Sequence, residues 1–278
     1  MTTEMTPTDV AALAEQVPDG GLLVLPPDYS FVPMELIRAL VRRGVRDLHV
    51  LAVPVSGMAA DLLIGAGCVK TMEAAAVSLG EAGLAPSFTR GVLDGSLKMK
   101  DSTCPAIHTA LQASEKGVPF IPLCGVIGSD IAKHRDDWKV VDDPLEQGNG
   151  PILLVPAIKP DVALIHAPLA DRYGNIWVGK RHELFTIAHA AKTSLVTYEE
   201  IHDGDLTEDP VLSAGTIPAM YIGGLAQAKN GALPLGLAGS YDADMAHIQA
   251  YAKEARTQEG FDAYLKREVL GVEAEAAS

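Results

Sequence analysis

Residues 21–53 read GLLVLPPDYSFVPMELIRALVRRGVRDLHVLAV, and this stretch decides the fold. Gly21 to Leu25 is a continuous apolar run, the pattern of a strand buried on both faces. Val32-Pro33 opens a helix, and Leu36, Ile37, Leu40 and Val41 repeat on one face of it. Asp47 to Val53 is a second strand. A strand, an amphipathic helix and a second strand in this order make a βαβ unit, which predicts a mostly parallel sheet.

The same alternation extends in both directions. Thr8 to Gln16 is predicted to be a helix, with Thr8 as N-cap and Asp9 in the first turn. Gly57 to Ala66 reads as helical, and Gly65-Ala66-Gly67 supplies the glycine that a helix end needs. Cys68 to Met72 is extended. Ser102 to Glu115 is a helix, with Ile107, Ala110, Leu111 and Ser114 on one face, and Val118 to Leu123 is a strand. Four short apolar runs follow: Ile152–Val155, Val162–His166, Ser194–Thr197 and Ala219–Ile222. Tyr241 to Lys266 reads as two consecutive helices with a break near Gly260. Asp142 to Gly150 is a turn-rich surface loop, and residues 273–278 form a frayed tail. No clean linker appears, so residues 1–278 are expected to form one α/β domain, with a small lobe around residues 80–100.

Charge and composition narrow the functional classes. The 278 residues carry 22 Lys+Arg against 36 Asp+Glu, a formal charge of −14, with 48% apolar and 21% charged residues. This composition excludes a disordered chain. The acidic balance argues against nucleic acid and against an anionic membrane surface, both of which demand a surplus of cations. Cys68, Cys104 and Cys124 are odd in number and lack C-x-x-C spacing, which argues against a disulfide framework or a zinc knuckle and fits a reducing cytoplasm. Met1 to Gln16 lacks the build of a signal peptide, and no apolar run approaches the ~20 residues that span a bilayer. The expectation is a soluble, cytoplasmic protein.

The first strand-to-helix turn, Pro26-Pro27-Asp28-Tyr29-Ser30, speaks against a dinucleotide site. Such a site offers backbone N–H groups to a pyrophosphate. Here two prolines remove donors and Asp28 adds a repelling charge. The turn still lies beyond the carboxyl end of a strand, where ligands of open α/β sheets bind. Asp28 and Ser30 therefore either face a pocket or belong to a rigid surface loop. Gly128-Ser129, after the Val118–Leu123 strand, either presents amides to an anion or thioester oxygen or forms a plain turn. His182 and His189 stand at i, i+7, roughly ~10 Å apart along a helix, too far to share a metal. Cys104, at a helix start near His108 and Asp101, is the thiol whose pKa that position would lower, and the three form a candidate nucleophile set. There is no G-x-S-x-G elbow and no P-loop. The residues alone thus give a soluble α/β protein with a small-molecule pocket.

Several stretches resemble one family. Asp161-Val162-Ala163-Leu164-Ile165-His166, then Ala170-Asp171-Arg172-Tyr173-Gly174-Asn175, looks like the "D-x-A-x-x-H … A-D-x-x-G-N" pattern of the α subunit of family I coenzyme A transferases, in the glutaconate CoA-transferase branch. Asp19-Gly20, Gly57 through Gly67, Gly117-Val118-Pro119-Phe120-Ile121-Pro122 with Gly128-Ser129-Asp130, and Thr197-Tyr198-Glu199-Glu200-Ile201 are similar too. The resemblance runs from about Asp19 to Leu270.

It implies a three-layer αβα fold of the kind shared with ribose-5-phosphate isomerase, and a coenzyme A thioester as substrate with no permanently bound cofactor or metal. In the family a glutamate attacks the thioester, and CoA is handed on to a carboxylic acid. In two-subunit members that glutamate lies on the β subunit. An α-type chain would therefore need a β-type partner and would supply pocket walls, here Asp28, Ser30, Gly57, Cys104, Gly128 and Ser129. Relatives carry a G-G-F-G-type loop where this chain has Pro26–Phe31. A hydrolytic branch, which opens a steroid ring in a CoA thioester, uses a carboxylate of the α-type chain. The matching stretch here is Asp101-Ser102-Thr103-Cys104, and Asp101 either acts there as acid/base or caps the helix. A third reading is a non-catalytic small-molecule binding module.

Overall fold

The computed structural model describes residues 5–271 apart from 147 and 149; the predicted 273–278 tail lies outside the described residues. The first half builds α1 (Val10–Glu15), β1 (Leu22–Leu25), α2 (Met34–Arg43), β2 (Leu48–Ala52), β3 (Val55–Ser56), α3 (Met58–Gly65), β4 (Val69–Ala74), β5 (Ala76–Val77), α4 (Pro86–Leu93), β6 (Lys98–Asp101) and α5 (Cys104–Glu115). The second half builds β7 (Phe120–Leu123), β8 (Lys139–Val141), β9 (Ile152–Pro156), β10 (Val162–Asp171), β11 (Ile176–Trp177), α6 (His182–Ala190), β12 (Thr193–His202), β13 (Thr216–Ile217), β14 (Ile222–Gln227), α7 (Met245–Glu254) and α8 (Gln258–Tyr264).

Strands β14, β12, β10, β1, β2, β4 and β6 lie side by side in that order, all parallel. β11 and β13 extend β10 antiparallel at one end. Alternate strand residues enter two cores. Leu23, Leu25, Val50 and Leu164 pack with residues of α2, α3, α7 and α8 on one face. Val24, Leu51, Ala163 and Ile165 pack with residues of α5 and α6 on the other. Burial of both faces explains the unbroken apolar runs in the strands, and the three-layer αβα reading is correct.

Four local readings change. Asp9, not Thr8, caps α1: its Oδ1 accepts the Ala12 amide at 2.7 Å. Thr8 instead bridges to Ala226. Val118–Leu123 supplies β7, which joins β9 and β8 in a separate antiparallel sheet. Pro122 gives no ladder donor, and β7 is an edge strand, where proline is tolerated. The run Ala219–Ile222 is mostly a turn, and the strand is Ile222–Gln227. A Cβ at Gly224 would stand 2.6 Å from Leu13 Cδ2, so the glycine lets α1 approach the strand. The last helices part at residues 255–257, and Gly260 lies inside α8, where Thr257 Oγ1 accepts its amide at 3.1 Å.

Residues 80–100 lie against the main sheet. They hold α4 and begin β6, and Ala85 and Leu97 enter the larger core. The satellite unit is instead the β7-β9-β8 sheet, with its own small cluster around Leu153, Val155 and Ala110. Arg135 ties it to the sheet edge. Its guanidinium lies 2.8 Å from buried Glu73 on β4, pairs with Asp137 at 2.8 Å and donates to the Asp101 carbonyl at 2.9 Å.

Candidate active site at the carboxyl ends of the first strands

The chain leaves β1 through Pro26-Pro27 and turns sharply, the Ser30 amide donating to the Pro27 carbonyl at 2.7 Å. Phe31 follows with φ +58°, a left-handed backbone unusual for a bulky residue. Its ring is buried, and its carbonyl accepts the His166 amide at 2.8 Å. Packing and hydrogen bonding thus hold a strained loop at the mouth of the sheet.

This loop aims Asp28 at the start of α3. Asp28 Oδ1 accepts the Gly57 amide at 3.0 Å and Oδ2 the Met58 amide at 2.8 Å. Burial pushes the Asp28 carboxyl up to about 6, against the two amides, which favour the charged form. A Cβ at Gly57 would lie 2.3 Å from Asp28 Oδ2 and 2.4 Å from the Ser78 carbonyl, so only glycine fits there.

Above this clamp opens a cavity of about 650 Å³. Asp28, Tyr29, Val55, Ser56, Leu79 and Glu81 form one side; Leu235, Tyr241, Met245 and Ile248 form the other. Its size and mostly apolar wall suit a small organic ligand. Ser56 Oγ lies in this wall, buried and without a hydrogen-bond partner among the described residues. Buried hydroxyls are rarely left unpaired, and this one is closed off from solvent at the base of the wall.

Tyr241 separates this cavity from a second one of about 530 Å³, which Trp177, Glu199, Glu200 and Asn230 also line. Beneath it runs a chain of polar groups. Fully buried His166 contacts Thr197 Oγ1 through Nδ1 at 2.8 Å and Glu199 Oε1 through Nε2 at 2.9 Å. Tyr241 donates to the same oxygen at 2.6 Å, and the Asn230 amide donates to Oε2 at 2.8 Å. Burial pushes the Glu199 carboxyl up, but the hydrogen bonds from His166, Tyr241 and Asn230 outweigh it and hold the group at about 2.

The predicted site residues separate. Asp28 lies in the wall, and Gly57 lies directly beneath it. Ser30 is fully buried behind the loop and braces it, donating to Glu183 Oε1 at 2.5 Å. Cys104 is exposed at the start of α5 and does not line the cavity. Gly128 and Ser129 sit in the loop after β7, where Ser129 donates to the Val126 carbonyl through both its amide and its hydroxyl. Asp101 is exposed at the end of β6, and the cap of α5 is Thr103, whose Oγ1 accepts the Ala106 amide at 3.3 Å. No hydrogen bond joins Cys104, His108 and Asp101 among the described residues; burial lowers the His108 imidazole below its ordinary value, against the opposing charge of Glu183. Those residues also hold no group of three or more His, Cys, Asp or Glu side chains suited to a metal.

The Asp171–Asn175 motif is structural. Asp171 Oδ1 accepts the amides of Tyr173 and Asn175, both at 2.9 Å, and Oδ2 accepts Asn175 Nδ2 at 2.7 Å, closing the β10–β11 turn. The sequence reading missed Ser56 and Tyr241. The orphaned hydroxyl and the shared wall exist only once distant segments meet.

Residues 8–225 match the family model described as coenzyme A transferase. The chain belongs to the coenzyme A transferase family. The A-type subunit of glutaconate CoA-transferase from Acidaminococcus fermentans is 32% identical over 257 residues, covering 86% of this chain and 79% of that protein. The crystal structure of glutaconate coenzyme A-transferase from that organism superposes with a TM-score of 0.86 at 28% identity, over 96% of this chain and 89% of that one. An uncharacterized Archaeoglobus fulgidus protein is 35% identical over 87% of this chain, which spans about half (54%) of that protein. The cholesterol ring-cleaving hydrolase IpdA subunit of Rhodococcus jostii is 29% identical over 87% of this chain and 85% of that protein. Both transferase and hydrolase subunits are thus similar to this transferase-family chain.

Proposed function

We propose that the chain is the A-type subunit of a CoA-transferase. With a B-type partner it moves CoA between an acyl-CoA thioester and a free carboxylic acid. The likeness to the A-type subunit of glutaconate CoA-transferase, with a cavity at the carboxyl ends of the strands, supports this reading. Covalent relay needs a carboxylate free to attack a thioester carbonyl. Asp28 is clamped by two amides, and neighbouring Glu199 accepts hydrogen bonds on both oxygens. Glu81 and Asp242, at the rim, are solvent-exposed. On this reading the attacking glutamate comes from the partner, as the family resemblance implies, and this chain contributes the apolar wall and the Asp28–Gly57 floor.

In the reaction the partner's carboxylate attacks the thioester carbon and expels CoA thiolate, leaving a mixed anhydride. The thiolate returns to the enzyme's acyl carbon, releasing the first acid and leaving an enzyme-CoA thioester. The incoming carboxylate attacks that thioester, and the thiolate then closes on the new acyl carbon. Each step forms one acyl bond and breaks another, with no net oxidation.

The hydrolase relative supports a second reading, in which a carboxylate of this chain acts with water. Asp101 would have to serve, yet its exposed side chain is outside the cavity wall. One assay separates the readings. The full chain is incubated with an acyl-CoA and a second carboxylic acid, alone and after co-purification with its partner. The expected result is exchange only with the partner present and loss of exchange when the partner's glutamate is replaced by alanine. Exchange by the chain alone overturns the division of labour, and water-dependent opening of a ring-bearing CoA thioester, with the thioester bond retained and no exchange, favours the hydrolase.

A further inference from the structure

The proposed activity leaves the acyl group open, and the charges around the large cavity bear on its class. Among the described residues that line this cavity, none is a lysine, an arginine or a histidine. The carboxylates of the wall are Asp28, Glu81 and Asp242. Asp28 is committed to two backbone amides, and Glu81 and Asp242 stand in solvent at the rim. Two of the wall's hydroxyls are engaged as well: Tyr241 donates to Glu199 at 2.6 Å, and Ser78 donates to the Gly83 carbonyl at 3.3 Å.

What remains for the inner end of a ligand is Val55, Leu79, Leu235, Met245 and Ile248. An apolar tail gains by leaving water against these side chains. A carboxylate there would lose its hydration, meet no cation and lie beside Asp28. The Asp28 carboxyl itself, pushed up to about 6 by burial, shows how poorly this floor tolerates charge. The rim differs. Arg181 lies outside the wall, its Cζ 5.6 Å from the centroid of the exposed Tyr29 ring, and its side chain forms no hydrogen bond or ion pair among the described residues. A negative end therefore belongs at the rim, which is also where a partner's glutamate can reach a reacting carbonyl. The volume of about 650 Å³ suits a drug-sized molecule, and a short acid would leave much of it empty.

We infer that this cavity selects an apolar monocarboxylic acid, medium-chain or ring-bearing, with its carboxyl end at the rim and its uncharged tail against Val55, Leu79, Leu235 and Met245, and that it rejects a dicarboxylic acid of the same length. The inference rests on the transferase reading.

The test measures kcat/KM for CoA transfer from hexanoyl-CoA to butyrate, octanoate and octanedioate, using the chain co-purified with its partner. Octanoate is expected ~10-fold or more above butyrate, since each buried methylene is worth ~4-fold. It is expected ~100-fold above octanedioate, whose second carboxylate is desolvated without a counter-charge. Met245→Arg places a cation in the wall and should shrink the octanoate-to-octanedioate ratio ~10-fold or more. Met245→Leu, equally apolar, keeps the preference for octanoate. Val55→Lys makes the same test from another element if the arginine variant does not assemble. A wild-type complex that takes octanedioate as well as octanoate, or a cation in the wall that leaves the ratio unmoved, overturns this inference while exchange, and with it the transferase reading, stands. Loss of partner binding on Met245→Arg with an unmoved ratio gives the cavity to the partner and overturns it too. A wild-type complex that moves CoA to no acid overturns the transferase reading and this inference with it.

Discussion

The Asp28 carboxylate just after the first strand accepts both the Gly57 and the Met58 amides, at 3.0 and 2.8 Å, and so caps a helix that begins 30 residues later. α3 has no side-chain cap of its own, and its first turn would otherwise leave these donors bare. One carboxylate thus joins two βα loops and floors the cavity.

Gly57→Ala tests how tightly that joint is closed. The new methyl would meet Asp28 Oδ2 and the Ser78 backbone oxygen well inside van der Waals contact, and the backbone cannot rotate away cheaply. A loss of ~2 kcal/mol is expected, a fall of ~4–8 °C in Tm by differential scanning calorimetry. An unchanged Tm would show that the loops are not joined as described.

The same carboxyl predicts a pH dependence. Burial raises its native value from 3.8 to about 6. Between those values the folded chain holds a proton that the unfolded chain has lost, so stability falls as pH rises from ~4 to ~6. The size is of order 1–3 kcal/mol. Urea unfolding of wild type and Asp28→Asn at pH 4.5 and 7.5 should show the wild type losing more stability over this window than the variant.

Glu199 behaves in the opposite sense. Its native carboxyl titrates near 2, below its ordinary 4.5, so its hydrogen bonds stabilise fully above pH 4.5 and fade as pH falls through 2. Glu199→Gln should cost ~1–2 kcal/mol at pH 7, discounted for its partial exposure. The gap to wild type should narrow between pH 4.5 and 2.5. A gap independent of pH would mean that charge is not what His166 and Tyr241 recognise.

Arg135 is the clasp of the satellite sheet. Arg135→Leu would leave the buried Glu73 carboxylate with only His49 and Lys100, and Asp137 with only Lys100 at 3.0 Å. A cost of ~3 kcal/mol is expected. Hydrogen exchange should rise across β7, β8 and β9, while β1 and β10 stay protected. Uniform loosening of the whole chain would contradict a local clasp.

The fold was largely legible because both faces of the parallel sheet are buried. Leu22–Leu25, Leu48–Ala52 and Val162–His166 are therefore apolar apart from His49 and His166, and each helix between them must show one apolar face. The site was legible in part. Asp28 stood out as a charge in a loop that otherwise reads as rigid, and Gly57 opened a helix without a capping side chain. Cys104, Asp101, Gly128 and Ser129 looked equally chemical, yet none of them lines the cavity. Local spacing shows what a side chain is able to do, not which loop it faces.

By itself the sequence determined the βαβ alternation, the parallel sheet and the family, since these rest on local periodicity and on short motifs such as Asp171–Asn175 that close their own turns. Only the tertiary structure decided that Asp28 caps a distant helix, that Ser56 Oγ has no hydrogen-bond partner among the described residues, that Tyr241 divides two cavities and that Val118–Leu123 leaves the main sheet. Those outcomes depend on contacts between segments far apart in the chain. The free energy of such contacts comes from burial and hydrogen bonding across the packed layers, which no stretch of residues encodes alone.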